Sequence, residues 1–305
     1  MPFSSKGELP VSVKLLDPTI DVVFKLLLLR RQELLRDMIE AVLNLLPIQG
    51  LEVLNPEIPK DFPEDKSVVL DIRVRLHSGH QIDLEMQSTV PPGTRARFLY
   101  YWARAFADSI TTGEGYTLLR PCISILWLKA PMLQGSRFHS VFHLSEDHLR
   151  EHFSPELEFH VLELPKLHLA GIDRRAKLNH WARFLRAQSG EELDELARED
   201  AMMMTAKDAL QELSLDPTAQ RLARERETSV LMHRHLINSS LEQGRVEGRV
   251  EGRVEGLVVA VSLACEMIGV EIDTAKKYLL ATLTCEQLTT LVQKLKTERR
   301  WPEGF

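Results

Sequence analysis

Val68-Val69-Leu70-Asp71-Ile72-Arg73-Val74-Arg75-Leu76, then His77-Ser78-Gly79, then His80-Gln81-Ile82-Asp83-Leu84-Glu85-Met86-Gln87, is two alternating runs around a short turn. Leu70, Ile72, Val74 and Leu76 alternate with Asp71, Arg73 and Arg75; Ile82, Leu84 and Met86 alternate with Asp83, Glu85 and Gln87. Period-2 runs flanking a glycine-containing turn predict a β-hairpin. A three-residue loop with glycine in its left-handed third position fixes the register. Leu76 then faces His80, Val74 faces Ile82, Ile72 faces Leu84 and Leu70 faces Met86. A slip by one residue would set apolar side chains against polar ones. In this register Asp71 lies opposite Glu85, with Cβ atoms roughly 5 Å apart. Like charges so placed oppose pairing, and a divalent cation is the usual means of neutralising them.

Asp71 on one strand and Glu85-Met86-Gln87 on the next resemble the PD-(D/E)XK nuclease signature, with Gln87 where lysine usually stands. The surroundings resemble one branch of that superfamily, the recombination-promoting nuclease (Rpn) or putative transposase family. The similar pieces are Leu16-Asp17-Pro18-Thr19-Ile20-Asp21-Val22-Val23-Phe24-Lys25, Asp65-Lys66-Ser67, Arg97-Phe98-Leu99-Tyr100-Tyr101-Trp102, Gly113-Glu114-Gly115-Tyr116 and Leu162-Glu163-Leu164-Pro165-Lys166. They follow in family order over about two-thirds of the chain. The resemblance implies an α/β, restriction-endonuclease-like fold: a mixed β-sheet core flanked by helices, here with a helical C-terminal extension.

The chain has 305 residues and a net charge of −6. That length suits one large domain or two ordinary ones, and the composition is globular. The charge gives no general support to nucleic-acid binding, so a DNA site must be local or metal-screened. Cys122, Cys265 and Cys285 form no zinc spacing and no disulfide framework, which points to a reducing cytoplasm. Lys6, Glu8 and Lys14 interrupt any signal-peptide pattern. The longest uncharged apolar stretch, Gly256 to Cys265, is too short to span a bilayer.

Asp17-Pro18 reads as N-cap and first residue of a helix running to about Leu46. Pro56 to Pro63 is a proline-rich connection. Arg95 to Thr111 reads as a buried helix, and Cys122 to Leu128 as a central strand buried on both faces. Phe138 to Leu144 and Phe159 to Leu164 are further strands. Helical stripes then cover Arg174 to Gln188 and Glu191 to Leu213, and Pro217 starts another helix. The expected domains are 9–215, nuclease-like, and 216–305, helical. The second contains Gly-Arg-Val-Glu three times over, residues 244–255. On a helix this four-residue period stacks Arg245, Arg249 and Arg253 in one stripe and Glu247, Glu251 and Glu255 in another, with no opposite pair at i+3 or i+4 within the repeat. Its glycines cost roughly 1 kcal/mol each. Two readings stay open: a flexible spacer, or helices from two chains that satisfy both stripes and form a homo-oligomer. Val258 to Lys296 reads as two short helices around Gly269.

The resemblance assigns Asp71, Glu85 and Gln87 to catalysis, with Asp21 as a further acidic residue. Asp71, Glu85 and the Met86 carbonyl would hold Mg²⁺, or Mn²⁺ in its place. The plain alternative for Asp71 and Glu85 is a solvated strand face beside an Arg73–Asp83 pair. Asp21 is either near the metal or half of an exposed pair with Lys25. Gln87 can orient a water or phosphate through its amide but brings no positive charge. Lys25, Lys66 and Arg97 are candidate phosphate contacts, with surface solubility the alternative for both lysines. The histidines show no ligand spacing, and His80 reads as a turn residue. The resulting expectation is a metal-dependent DNA endonuclease that promotes recombination. A catalytically weak or inactive nucleic-acid-binding or oligomerising module of the same fold is the alternative. A third, weaker reading is a DDE transposase, which needs a third catalytic carboxylate that cannot be placed here.

Overall fold

The computed structural model describes residues 14–45, 47–54, 57–58, 68–69, 71–110, 113–168 and 176–305, with side chains described at neither 57–58, 68–69 nor 176. They fall into two compact units, Met1–Glu227 and Thr228–Phe305.

The first unit opens with α1 (Asp21–Arg30) and α2 (Gln32–Leu43). Asp17 is not the cap of this helix. Its carboxylate accepts the Thr19 N–H at 2.8 Å and the Thr19 hydroxyl at 2.5 Å, which closes a turn before the helix begins. The expected single helix is broken at Arg31, whose backbone leaves the helical region (φ −130°, ψ 82°). The chain continues through β1 (Leu51–Val53), β2 (Glu57–Ile58), β3 (Val68–Val69), β4 (Ile72–Leu76) and β5 (Gln81–Gln87). Then come α3 (Thr94–Ala107), β6 (Cys122–Leu128), β7 (His139–His143) and β8 (Leu157–Glu163). The strands β1-β4-β5-β6-β8-β7 form one six-stranded mixed sheet, and β2-β3 a separate ribbon. The antiparallel meander β1-β4-β5, the α3 crossover and the parallel strand β6 make its core.

The hairpin has the expected register: Ile72 faces Leu84, Arg73 faces Asp83 and Val74 faces Ile82. Gly79 takes the left-handed conformation at φ 89°, and its N–H donates to Leu76 O at 2.8 Å. The Ser78 hydroxyl meets His80 Nδ1 at 2.8 Å, so His80 belongs to the turn. The expected partner of Met86, Leu70, lies outside the described residues.

Each sheet face has its own cover. Ile72, Val74, Ile82, Leu84 and Met86 join the main core with α1, α2 and the later helices α4 (Ala176–Arg186), α5 (Gly190–Glu199) and α6 (Ala201–Leu215). The expected helix over Glu191 to Leu213 is thus two. Asp200 is extended between them and caps α6, accepting the Met202 N–H at 2.7 Å. On the other face α3 sets Phe98 against Leu126, Leu128 and Val161, and the Trp102 indole N–H donates to Cys122 O at 2.7 Å. The solvated strand face is therefore overturned: Asp83 and Glu85 are each only 3% exposed.

Helix α7 (Pro217–Ile268) runs on from the first unit and contains the whole repeat. The flexible-spacer reading of residues 244–255 is thereby corrected. Arg245 also finds an intrachain partner just upstream of the repeat, Glu242 at 3.7 Å, both exposed. The second unit adds α8 (Thr274–Thr282) and α9 (Cys285–Glu298), so Val258 to Lys296 holds the end of one long helix and two short ones. Val261, Cys265, Leu280, Leu288, Leu291 and Leu295 form its separate core.

Candidate active site

The carboxylates gather where β4 begins, against the C-terminal half of β5. Asp71 sits in the bend just before β4, and its Oδ2 accepts the Met86 N–H at 3.1 Å. Odd-numbered residues of β5 direct their backbone groups toward β6, as the Gln81 N–H to Pro121 O and the Lys129 N–H to Gln87 O bonds show. Met86 therefore directs both its N–H and its carbonyl to the opposite edge, on the side of Asp71. Glu85 and Asp83 project from β5 under α3. Glu85 Oε2 accepts the Gln87 amide at 3.1 Å. Glu85 Oε1 and Asp83 Oδ1 are buried with no hydrogen-bond partner among the described residues.

Burial, only partly offset by nearby cations, sets the titration of this group. Asp71 is pushed up to about 6, chiefly by desolvation; the Met86 N–H opposes the rise, the Asp21 charge adds to it, and Lys25 and Arg226 offset part of it. Glu85 is raised well above the usual carboxylate range, first by burial and then by the charges of Asp83 and Asp71. Asp83 is raised by burial and by Asp71, with Arg73 opposing. An unpartnered carboxylate oxygen inside a protein costs free energy unless a cation or proton meets it. Among the described residues no three His, Cys, Asp or Glu side chains converge as a metal cage. The donors present suit a hard divalent cation that takes two carboxylates and a carbonyl and keeps several waters.

Of the residues marked from the sequence, Asp71, Glu85, Met86 and Gln87 share this corner, and Arg97 reaches it from α3. Arg97 Nη2 donates to Gln87 Oε1 at 3.1 Å. Asp21 lies close enough to raise Asp71, but its carboxylate is engaged by Arg226 of α7, with Nε at 2.6 Å. The expected Asp21–Lys25 pair is not formed; Lys25 instead acts on Asp71. Lys66 lies outside the described residues.

Two features escaped sequence reasoning. Asp83 read as half of a surface pair, yet the Arg73 guanidinium turns to Asp108 at the end of α3 (2.6 Å) and to Gln81 (3.0 Å). Its signal was an unbroken acidic alternation, Asp83 then Glu85, on one strand face. His139, His160 and Glu158 form a chain of contacts at 2.9 and 2.5 Å across β7 and β8. The spacing of two between Glu158 and His160 was the only trace of it. The Leu162–Lys166 segment proves to be a structural clamp. Buried Glu163 accepts the Met132 and Leu133 N–H groups at 2.5 and 3.0 Å and pairs with Lys166 at 2.6 Å.

A groove of about 1100 Å³ beside Asp17, Lys129 and Phe184 contains none of the site carboxylates. No helix among the described residues is long and apolar enough to cross a membrane. No curated protein and no solved structure gives a significant match. The family model of the PD-(D/E)XK nuclease family transposase matches residues 18–240, which hold the whole sheet and the site carboxylates Asp21, Asp71, Asp83 and Glu85. The fold is accordingly the α/β, restriction-endonuclease-like one, and the chain belongs to the PD-(D/E)XK nuclease family transposases.

Proposed function

We propose that this protein is a Mg²⁺-dependent DNA endonuclease, acting in the cytoplasm, whose cleavage serves DNA recombination. The observation that carries this reading is the buried, unpartnered Oε1 of Glu85 beside a second raised carboxylate, Asp71. Asp71, Glu85 and the Met86 carbonyl hold the cation; Mn²⁺ fits the same donors. When bound, it lowers the pKa of a water and stabilises charge on the phosphate. The Met86 N–H fixes the Asp71 carboxylate. Gln87 fixes the other oxygen of Glu85 and leaves Oε1 without a hydrogen-bond partner among the described residues. Asp21, held by Arg226, adds negative charge at the rim, and Lys25 and Lys66 are candidate contacts to the DNA backbone.

The glycine stripe supports a homo-oligomer. A Cβ placed on Gly244, Gly248, Gly252 or Gly256 meets nothing within 4 Å, so the single chain has no packing need for glycine there. Antiparallel pairing of two such helices sets Arg stripes against Glu stripes.

The second reading, an inactive nucleic-acid-binding module of the same fold, is favoured by the missing lysine at Gln87 and the net charge of −6. Plasmid nicking with Mg²⁺, Mn²⁺ or EDTA separates the two. Metal-dependent nicking that Glu85→Ala abolishes supports the endonuclease. Purified, folded protein that binds DNA and never nicks it supports the module.

A further inference from the structure

The PD-(D/E)XK superfamily signature ends in lysine, and this chain places a neutral amide there. The positive charge of the site must come from elsewhere in the fold. Arg73 is engaged by Asp108 and Gln81, and Arg226 by Asp21. Lys25 acts on Asp71. The largest favourable charge on Glu85 is that of Arg97.

Hydrogen-bond chemistry links Arg97 to Glu85 in one way only. A guanidinium donates and never accepts. The atom of Gln87 that meets Arg97 is therefore the carbonyl Oε1, at 3.1 Å. The Nε2 group must then turn to Glu85, where it donates to Oε2 at 3.1 Å. Gln87 is thus a bridge whose orientation Arg97 sets. Arg97 is itself held from α3: its guanidinium lies 5.2 Å from the Phe98 ring centre and 5.9 Å from that of Tyr101. Its Nε is buried with no hydrogen-bond partner among the described residues.

We propose that Arg97 on α3 carries the positive charge that the superfamily signature assigns to the lysine position, and that Gln87 is the neutral spacer holding it beside Glu85. The inference rests on the endonuclease reading. It makes positions 87 and 97 a pair that tolerates one cation. A lysine at 87 beside Arg97 crowds two cations and breaks the amide bridge. A lysine at 87 with no arginine at 97 restores one charge at the same carboxylate.

The test uses the full chain in five forms: wild type, R97Q, Q87K, Q87K/R97Q and Q87M/R97Q. Each is checked for fold by near-ultraviolet circular dichroism, for Mg²⁺-dependent plasmid nicking, and for Mn²⁺ affinity by calorimetry. R97Q is expected to lose ~100-fold or more in cleavage, the scale of removing one preorganised charge-stabilising group. Its Mn²⁺ affinity should stay within a few-fold of wild type or tighten, because a cation has left the neighbourhood of a cation site. Q87K should fall below wild type, Q87K/R97Q should recover well above R97Q, and Q87M/R97Q should not. An R97Q protein whose Mn²⁺ affinity falls together with its cleavage would reduce Arg97 to a structural support. A fully active Q87K, or a double variant no better than R97Q, overturns the proposal with the endonuclease reading intact. A wild type inert with every metal overturns both.

Discussion

Replacing Asp71 by Asn removes a charge that the metal-free fold holds at a cost. The Asp71 carboxyl titrates at about 6 in the folded protein against an ordinary 3.8, mainly because it is buried. A carboxyl whose folded value is raised stabilises the fold below its unfolded pKa. That contribution is lost as the pH climbs through the folded value. The gap between 3.8 and about 6, at ~1.4 kcal/mol per pH unit, is about 3 kcal/mol. Asn keeps an oxygen to accept the Met86 N–H, so this bond does not confound the comparison. Asp71→Asn should therefore match wild type near pH 3.5 and exceed it by up to about 3 kcal/mol at pH 8 in EDTA. Urea unfolding across this pH range, followed by the buried Trp127 and Trp181, measures the difference. Mn²⁺ at a thousandfold excess over Kd should reverse the order by stabilising wild type alone, by about 4.1 kcal/mol. A variant no more stable than wild type at pH 8, or equally more stable at pH 3.5 and 8, would refute the electrostatic reasoning.

Three further outcomes follow from the same structure. Glu163→Gln should destabilise the first unit by about 3–5 kcal/mol, because it leaves the Lys166 ammonium buried without its counter-charge; chemical denaturation reads this directly. Gly248→Ala with Gly252→Ala should stiffen α7 by roughly 1 kcal/mol per site, yet weaken self-association, which circular dichroism and light scattering separate. A chain ending near Glu242 should keep the fold of the sheet region and lose the salt-sensitive part of its mass; identical masses at every salt concentration would remove the oligomer.

The sheet core was legible where periodicity speaks. The alternation from Leu70 to Met86 and the glycine in the turn sufficed for the register, because a slip of one residue would invert both faces. The apolar run from Cys122 to Leu128 announced the central strand for a different reason, because a strand covered on both faces needs apolar residues throughout. What the sequence concealed depends on partners distant in the chain. Asp83 looked solvated because its cross-strand neighbour is Arg73, and only the docking of α3 reveals that Arg73 turns to Asp108, 35 residues on. Asp21 could be read as near the metal or as paired with Lys25 one helical turn on, yet its partner Arg226 lies 205 residues away. Gln87 and Arg97 were each conspicuous, but the bond between them exists only once the crossover helix lies over the strand. Strand β1 is three residues long and half exposed, too little for alternation to register.

The central claim is that Asp71, Glu85 and the Met86 carbonyl hold a divalent cation. Anomalous scattering from a crystal soaked in Mn²⁺ tests it most directly. The account predicts a peak within about 2.5 Å of oxygens from all three residues, absent from crystals of Glu85→Ala grown and soaked in the same way. A wild-type crystal in saturating Mn²⁺ with no peak at Glu85, or with its peak elsewhere in the chain, would contradict it.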